Sequence, residues 1–160
     1  MIMGRQPIVG KLPLERYRAA MEEFPIVTVD VVFLNADKTK ILLGKRVNEP
    51  FAGVFYSFGG RLHKNEDLQD ATSRIAREEV GISLSPADSI FAGVLNEIND
   101  TSIFPGVNYQ AITLYFGCTI TEDAFSLDSQ HSDVQWFPID DPSLHPNVKA
   151  RIGGVLKVLT

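Results

Sequence analysis

The sequence predicts an α+β fold, a mixed β-sheet flanked by helices. Two observations carry that expectation. β-Branched apolar runs come in groups, and stretches of helical periodicity are set apart from them. No repeat, low-complexity tract or linker-like change of composition divides the 160 residues, so one domain is expected over 1–160.

The elements follow in order. LPLERYRAAMEEF, residues 12–24, is a short amphipathic helix stopped by Pro25. IVTVDVVFL, residues 26–34, is a buried strand interrupted by Asp30. After the turn NADKTK comes a second strand, KILLGKRV, and then a short third, GVFYSF, leading into Gly59-Gly60. A helix is expected over roughly 67–80, ended by Gly81. Leu68, Ala71, Thr72, Ile75 and Ala76 form its packed face at i, i+3, i+4, i+7 spacing. SIFAGVLNEI and YQAITLYFGCTI are strands around the polar loop NDTSIFPGVN. SDVQWFPI is a last strand, and NVKARIGGVLKVL a C-terminal helix.

A net charge of −5 argues against a nucleic-acid partner, because phosphate backbones recruit basic surfaces. Cys118 is the only cysteine, so a disulfide framework is excluded, and it reads as a core residue. No apolar run is long enough to span a membrane. The N-terminal segment lacks a long apolar core of the signal-peptide kind. The cytoplasm is the default compartment.

Chemistry concentrates in GGRLHKNEDLQDATSRIAREEVGI, residues 59–82. Gly59-Gly60 offers a sharp turn whose backbone is unobstructed by side chains. Arg74 and Glu78 are four apart and can pair along the helix. Glu79 is four beyond Ile75, which puts both on one side. Magnesium takes oxygen ligands and keeps waters and phosphates in its shell. A glycine carbonyl and a carboxylate at a helix end make a partial cage for it. A solvated helix with i,i+4 pairs is the bland alternative.

The stretch resembles the Nudix box on Gly60, Glu66, Arg74, Ala76, Glu78, Glu79, Gly81 and Ile82; Ile75 stands where the family has a glutamate. The segments TVDVVFLNADKTKILLGKRVNEPFAGVFYSFGGRL and LDSQHSDVQWF resemble the GDP-mannose mannosyl hydrolases, Nudix relatives that also lack that glutamate. The likeness runs over most of the chain. It implies a Nudix-like α/β/α sandwich, a homodimer and a nucleotide-sugar substrate. It also implies magnesium, with manganese as the alternative ion. The reaction implied is water attack at the anomeric carbon, with inversion and departure of GDP.

By that resemblance Gly59 (through its carbonyl), Glu79 and Gln130 hold the metal. Glu78 is left open between the metal shell and a pair with Arg74, and Glu66 orients Arg74. His131, expected on a polar loop, is the general base, since imidazole titrates near neutrality. Arg46 and Arg61 contact the diphosphate. Asp30 contacts the sugar or holds the catalytic groups, and as a buried carboxylate it needs a partner. Tyr17 is open between core packing and stacking on guanine across a dimer. Two positions depart from the pattern: Glu97 replaces a histidine and Thr113 a tyrosine, with Gln110 a candidate substitute donor. Two other functions are carried forward. One is an ordinary Nudix pyrophosphohydrolase using Glu66, Glu78 and Glu79. The other is a non-catalytic nucleotide-sugar binding module.

Overall fold

The structure, a computed structural model, describes residues 6–159; the outermost ends of the domain expected over 1–160 lie outside them. Helix α1 (Leu14–Glu23) precedes β1 (Ile26–Leu34), β2 (Lys40–Arg46), β3 (Phe55–Tyr56) and β4 (Phe58–Arg61). Helix α2 (Leu68–Ile75) continues into a π-type turn, Ala76–Val80. Then come β5 (Ile90–Asn99), β6 (Tyr109–Thr119), β7 (His131–Pro138) and α3 (Pro146–Val158). Phe24 turns to extended backbone just before Pro25 and closes α1, as expected.

The strands form one mixed sheet in the order β3-β2-β1-β6-β5, with β4 also pairing β1 and β7 pairing β2. β1 runs parallel to β6 and antiparallel to β2 and β4. β1 is central because it is apolar on both faces, the pattern of a strand covered on two sides. Its Val29, Val31 and Phe33 join a core that includes Ala71, Ile75 and Ala76 of the box helix. Val32 and Leu34 join a second core with Val148, Ile152 and Val155 of α3. Alternation places Asp30 on the α3 face with Val32. Cys118 is buried and burial pushes its thiol up to about 12, consistent with a packing residue. Among the described residues no helix is long and apolar enough to cross a membrane.

Three local expectations are corrected. Leu68 does not belong to the packed face of α2; it is 36% exposed, while Ala71, Thr72, Ile75 and Ala76 are buried. Gly59-Gly60 is not a sharp turn but part of β4, with Gly59 opposite Asp30 and Gly60 opposite Val29. Glycine is required at 59 by close approach, because a Cβ there would run into the Asp30 carboxylate. The box helix is not regular to its end. Its last turn is of the wider π type, and Glu79 within it is buried, as Ile75 is.

Gly81 does end the helix as expected, at φ 73°, with its amide bonded to the Arg77 carbonyl. A Cβ there would also sit 2.9 Å from Ser126 Cβ. Gly81→Ala is expected to cost about 1–2 kcal/mol, lowering Tm by roughly 3–8 °C in calorimetry.

Candidate active site

A pocket of about 470 Å³, counting its open mouth, lies over β1, β4, β5 and β6. Thr28 and Asp30 come from β1, Gly59 and Gly60 from β4, Glu97 from β5, and Tyr109 and Thr113 from β6. Positions 28 and 30 of β1 and 109 and 113 of β6 alternate along their strands, so one face of the sheet presents their side chains together. Glu97 and Thr113, the two departures noted in the sequence, are therefore both pocket residues. Gln110 is not; it points to the other side of β6 and donates to Asn96.

The polar floor of the pocket is a buried ion network. Arg151 of α3 is 1% exposed. Its Nε donates to Asp30 Oδ2 at 3.0 Å, its Nη1 to the Asn147 carbonyl, and its Nη2 to Glu97 Oε1. Ser57 Oγ donates to Asp30 Oδ2 at 2.8 Å. Glu97 Oε2 accepts from Tyr56 OH at 2.6 Å and from Asn147 Nδ2 at 2.9 Å, and Oε1 accepts from Thr113. The Arg151 guanidinium also lies 5.0 Å from the Tyr56 ring centre. Burial raises the Asp30 carboxyl above its ordinary range, opposed chiefly by Arg151. Burial acts on Glu97 the same way, but Arg151, with Tyr56 and Thr113, holds that carboxyl below the usual range. Asp30 is thus buried rather than on a wet face of its strand, and Arg151 is the partner its burial demands.

The second group of charges lies at the end of the box helix. Glu79 is buried, and its Oε2 accepts from the Gly59 amide at 3.0 Å. Burial, then the Asp128 and Asp30 carboxylates, raise its carboxyl well above the ordinary range. The amide and carbonyl of a strand residue point to the same edge, so the Gly59 carbonyl is turned to Glu79's side. Gln130 is exposed in the turn before β7, and its backbone N–H donates to Asp128 Oδ1. Among the described residues no three His, Cys, Asp or Glu side chains gather into a metal cluster. The oxygen donors near one another are instead the buried Glu79 carboxylate, the Asp128 carboxylate that acts on it and the Gly59 carbonyl. Such a sparse oxygen set suits magnesium, which fills its shell with waters and phosphates. The mutual repulsion that raises Glu79 is what a divalent cation relieves. The residues fit the ion.

His131 is not on a loop. It opens β7, opposite Arg46, with a side chain 1% exposed. Nδ1 lies 2.7 Å from Asp128 Oδ1, and the ring packs against Phe58 at 5.0 Å between centres. Nε2 is buried without a hydrogen-bond partner. Asp128 fixes Nδ1 as the donor, which leaves the basic lone pair on Nε2. The imidazole does not line the pocket described above.

Arg74 ties the box together. It donates to Glu66 Oε2 at 2.7 Å and Oε1 at 3.0 Å, to the Arg61 carbonyl at 3.1 Å and to Glu78 Oε2 at 3.2 Å. Glu66 therefore orients Arg74, and its remaining contact is with the His63 amide. Glu78 is exposed and paired with Arg74. Arg46 lines the pocket, with Nε on the Pro50 carbonyl at 2.7 Å. The Arg61 fork is occupied elsewhere, on the carbonyls of Gly10 and Leu62, and does not line the pocket. Tyr17 packs edge-on to Phe104 of its own chain, 5.9 Å between ring centres. Burial raises its hydroxyl, while Arg61 and Arg46 oppose the shift, which puts Tyr17 on the arginine side of the site.

Sequence reasoning missed Arg151 and Asp128. A signal for Arg151 was present: it interrupts the helical stripe Val148, Ile152, Val155, where a charge needs a buried partner. Asp128, three residues before His131, had no comparable signal.

A family model described as NUDIX domain matches residues 25–158. The low-salt glycan biosynthesis protein Agl8 of Haloferax volcanii is 32% identical over 140 residues, 87% of each chain. The ADP-ribose pyrophosphatase of Methanocaldococcus jannaschii is 37% identical over 75 residues, 47% of this chain and 42% of that protein. Among solved structures, the NUDIX domain of Shewanella oneidensis NrtR, complexed with ADP ribose, superposes with TM-score 0.69 at 20% identity, covering 93% of this chain and 100% of that one.

Proposed function

Because this chain belongs to the NUDIX domain family, we propose that it hydrolyses a GDP-mannose-type nucleotide sugar to GDP and free sugar, by water attack at the anomeric carbon with inversion. The likeness to a protein named for glycan biosynthesis supports a sugar-linked substrate. The carrying observation is the burial of Ile75, 1% exposed in the core beneath the box helix. Burying that side chain contributes about 1.5–3 kcal/mol. An ionised glutamate in its place would be costly without a partner. The helix therefore offers the site only Glu79, since Glu78 is turned outward onto Arg74. One carboxylate from the helix suits charge neutralisation on a leaving diphosphate better than a multi-metal attack on phosphorus.

Glu79, the Gly59 carbonyl and Gln130, with Asp128 added, would hold magnesium or manganese. When bound, the ion supplies positive charge to the departing nucleoside diphosphate. Arg46, at the pocket wall, meets the same developing charge. Asp30 accepts from sugar hydroxyls with the acceptor capacity that Arg151 and Ser57 leave free. His131 takes the proton of the attacking water at Nε2, with Asp128 holding the tautomer. The imidazole is sealed in the described conformation, so this step requires the turn before β7 to admit water. The proposal includes a cytoplasmic homodimer, as the resemblance implies. In the described chain Tyr17 meets Phe104 of its own protomer, so base stacking by Tyr17 is the weaker of its two roles.

A second reading, attack at phosphorus, is favoured by the likeness to an ADP-ribose pyrophosphatase. Hydrolysis in ¹⁸O-water separates the two. GDP with label in the free sugar is expected. GMP and sugar phosphate would transfer the assignment to the second reading. His131→Gln is expected to lower kcat by about two to four decades. Tight binding of nucleotide sugars with no turnover under any divalent ion would leave only a binding module.

A further inference from the structure

Among the described residues, Lys38, Phe51 and Asn65 are the non-glycines with positive φ. Asparagine tolerates the left-handed region, and Lys38 is half-buried in the turn between β1 and β2. Phe51 is different. It is a bulky residue at φ 67° on the rim of the pocket, where such a backbone is uncommon and unfavourable. The segment is fixed from both sides. Arg46 Nε donates to the Pro50 carbonyl at 2.7 Å, the Gly53 amide to the Arg46 carbonyl at 2.8 Å, and the Val54 amide to the Phe51 carbonyl at 3.0 Å.

The result is a phenyl ring stacked on Tyr56, with centres 4.9 Å apart and planes at 21°. His145 braces it at 4.7 Å. Tyr56 is itself anchored through its hydroxyl to Glu97. Packing alone does not account for the strain. The ring packs against the second core, yet it stays half-buried and also lines the cavity. Beside it stand Asp30, Glu97, Asn99 and Thr113. An apolar aromatic wall beside hydrogen-bonding groups is the combination that recognises a sugar: C–H groups against the ring, hydroxyls toward the polar floor.

We propose that Phe51 is the sugar platform of this site, a specificity residue that touches the glycosyl group and not the nucleotide. This rests on the nucleotide-sugar reading above. The diphosphate would lie toward Arg46 and Gly59, and the hexose against Phe51.

The test is calorimetric titration of wild type, Phe51→Ala and Phe51→Trp with GDP-mannose and ADP-ribose, and with GDP and ADP as the sugar-free halves. The quantity read is the gain in affinity that the sugar adds. In Phe51→Ala that gain is expected to fall roughly five- to tenfold, with GDP and ADP binding unchanged within twofold. Phe51→Trp keeps a platform, so it should retain the gain and shift its fluorescence when the sugar-bearing ligand binds but not with GDP or ADP. If Phe51→Ala fails to fold, the tryptophan variant alone decides. A sugar gain unaltered in Phe51→Ala, or no sugar-dependent signal from Phe51→Trp, overturns the platform and leaves the hydrolase reading standing. A wild type that gains nothing from either sugar overturns both.

Discussion

Arg151→Met is expected to destabilise the fold by about 3–5 kcal/mol, a fall in Tm of roughly 10–15 °C. Methionine keeps the apolar stem and loses the guanidinium, including its contact with the Tyr56 ring. What is lost is the cation between two carboxylates. Asp30 and Glu97 have side chains 9% and 10% exposed, and Arg151 bonds both. Burial disfavours a charged guanidinium, yet Asp30, Tyr56 and Glu97 together hold it above the ordinary arginine range. Without it the carboxylates repel each other in a poorly solvated site. Removing one member of a buried network is far more costly than removing the whole network. The triple variant Arg151→Met, Asp30→Asn, Glu97→Gln is therefore expected to recover most of the loss. Urea unfolding checks this through the midpoint, with the slope constant. A loss below about 1 kcal/mol for the single variant would contradict the electrostatic account.

The fold was legible because it is written in periodicity. The near-continuous apolar run of β1 and the i, i+3, i+4 spacing of Ala71, Thr72, Ile75 and Ala76 are local signals, and those residues are the ones buried. The box spacing made Glu79 and Arg74 recognisable for the same reason. The rest depended on contacts between distant segments. Arg151 meets Asp30 across 121 positions and Glu97 across 54, separations that no local pattern encodes. Gly59-Gly60 misled because two glycines permit a turn without demanding one; here the need was room for a carboxylate on the next strand. His131 misled because a polar neighbourhood implies a loop. Pairing with β2 captured the residue as the first of a strand and sealed its ring against Phe58. Arg61 was expected at the diphosphate from the likeness of its segment, but its fork lies on the carbonyls of Gly10 and Leu62.

Glu79→Gln is expected to lower kcat/KM by about three decades while leaving the metal-free protein slightly more stable. The two effects have one origin. The glutamine keeps an oxygen for the Gly59 amide, so the 3.0 Å bond and the local packing survive. It removes a buried negative charge that Asp128 and Asp30 oppose. Without metal, that charge is a liability, and its removal is expected to add stability of order 1 kcal/mol. On the proposed reading, the same charge would hold the divalent ion. Its loss forfeits several kcal/mol of stabilisation of the leaving diphosphate, which is about a thousandfold in rate. Opposite signs in stability and activity separate a functional carboxylate from a structural one, because a structural residue loses both together. The measurements are unfolding in chelator and kinetics over a magnesium series. Activity within tenfold of wild type at saturating magnesium, or a sharply lowered midpoint in chelator, would remove Glu79 from the metal site and leave it a packing residue beneath β4.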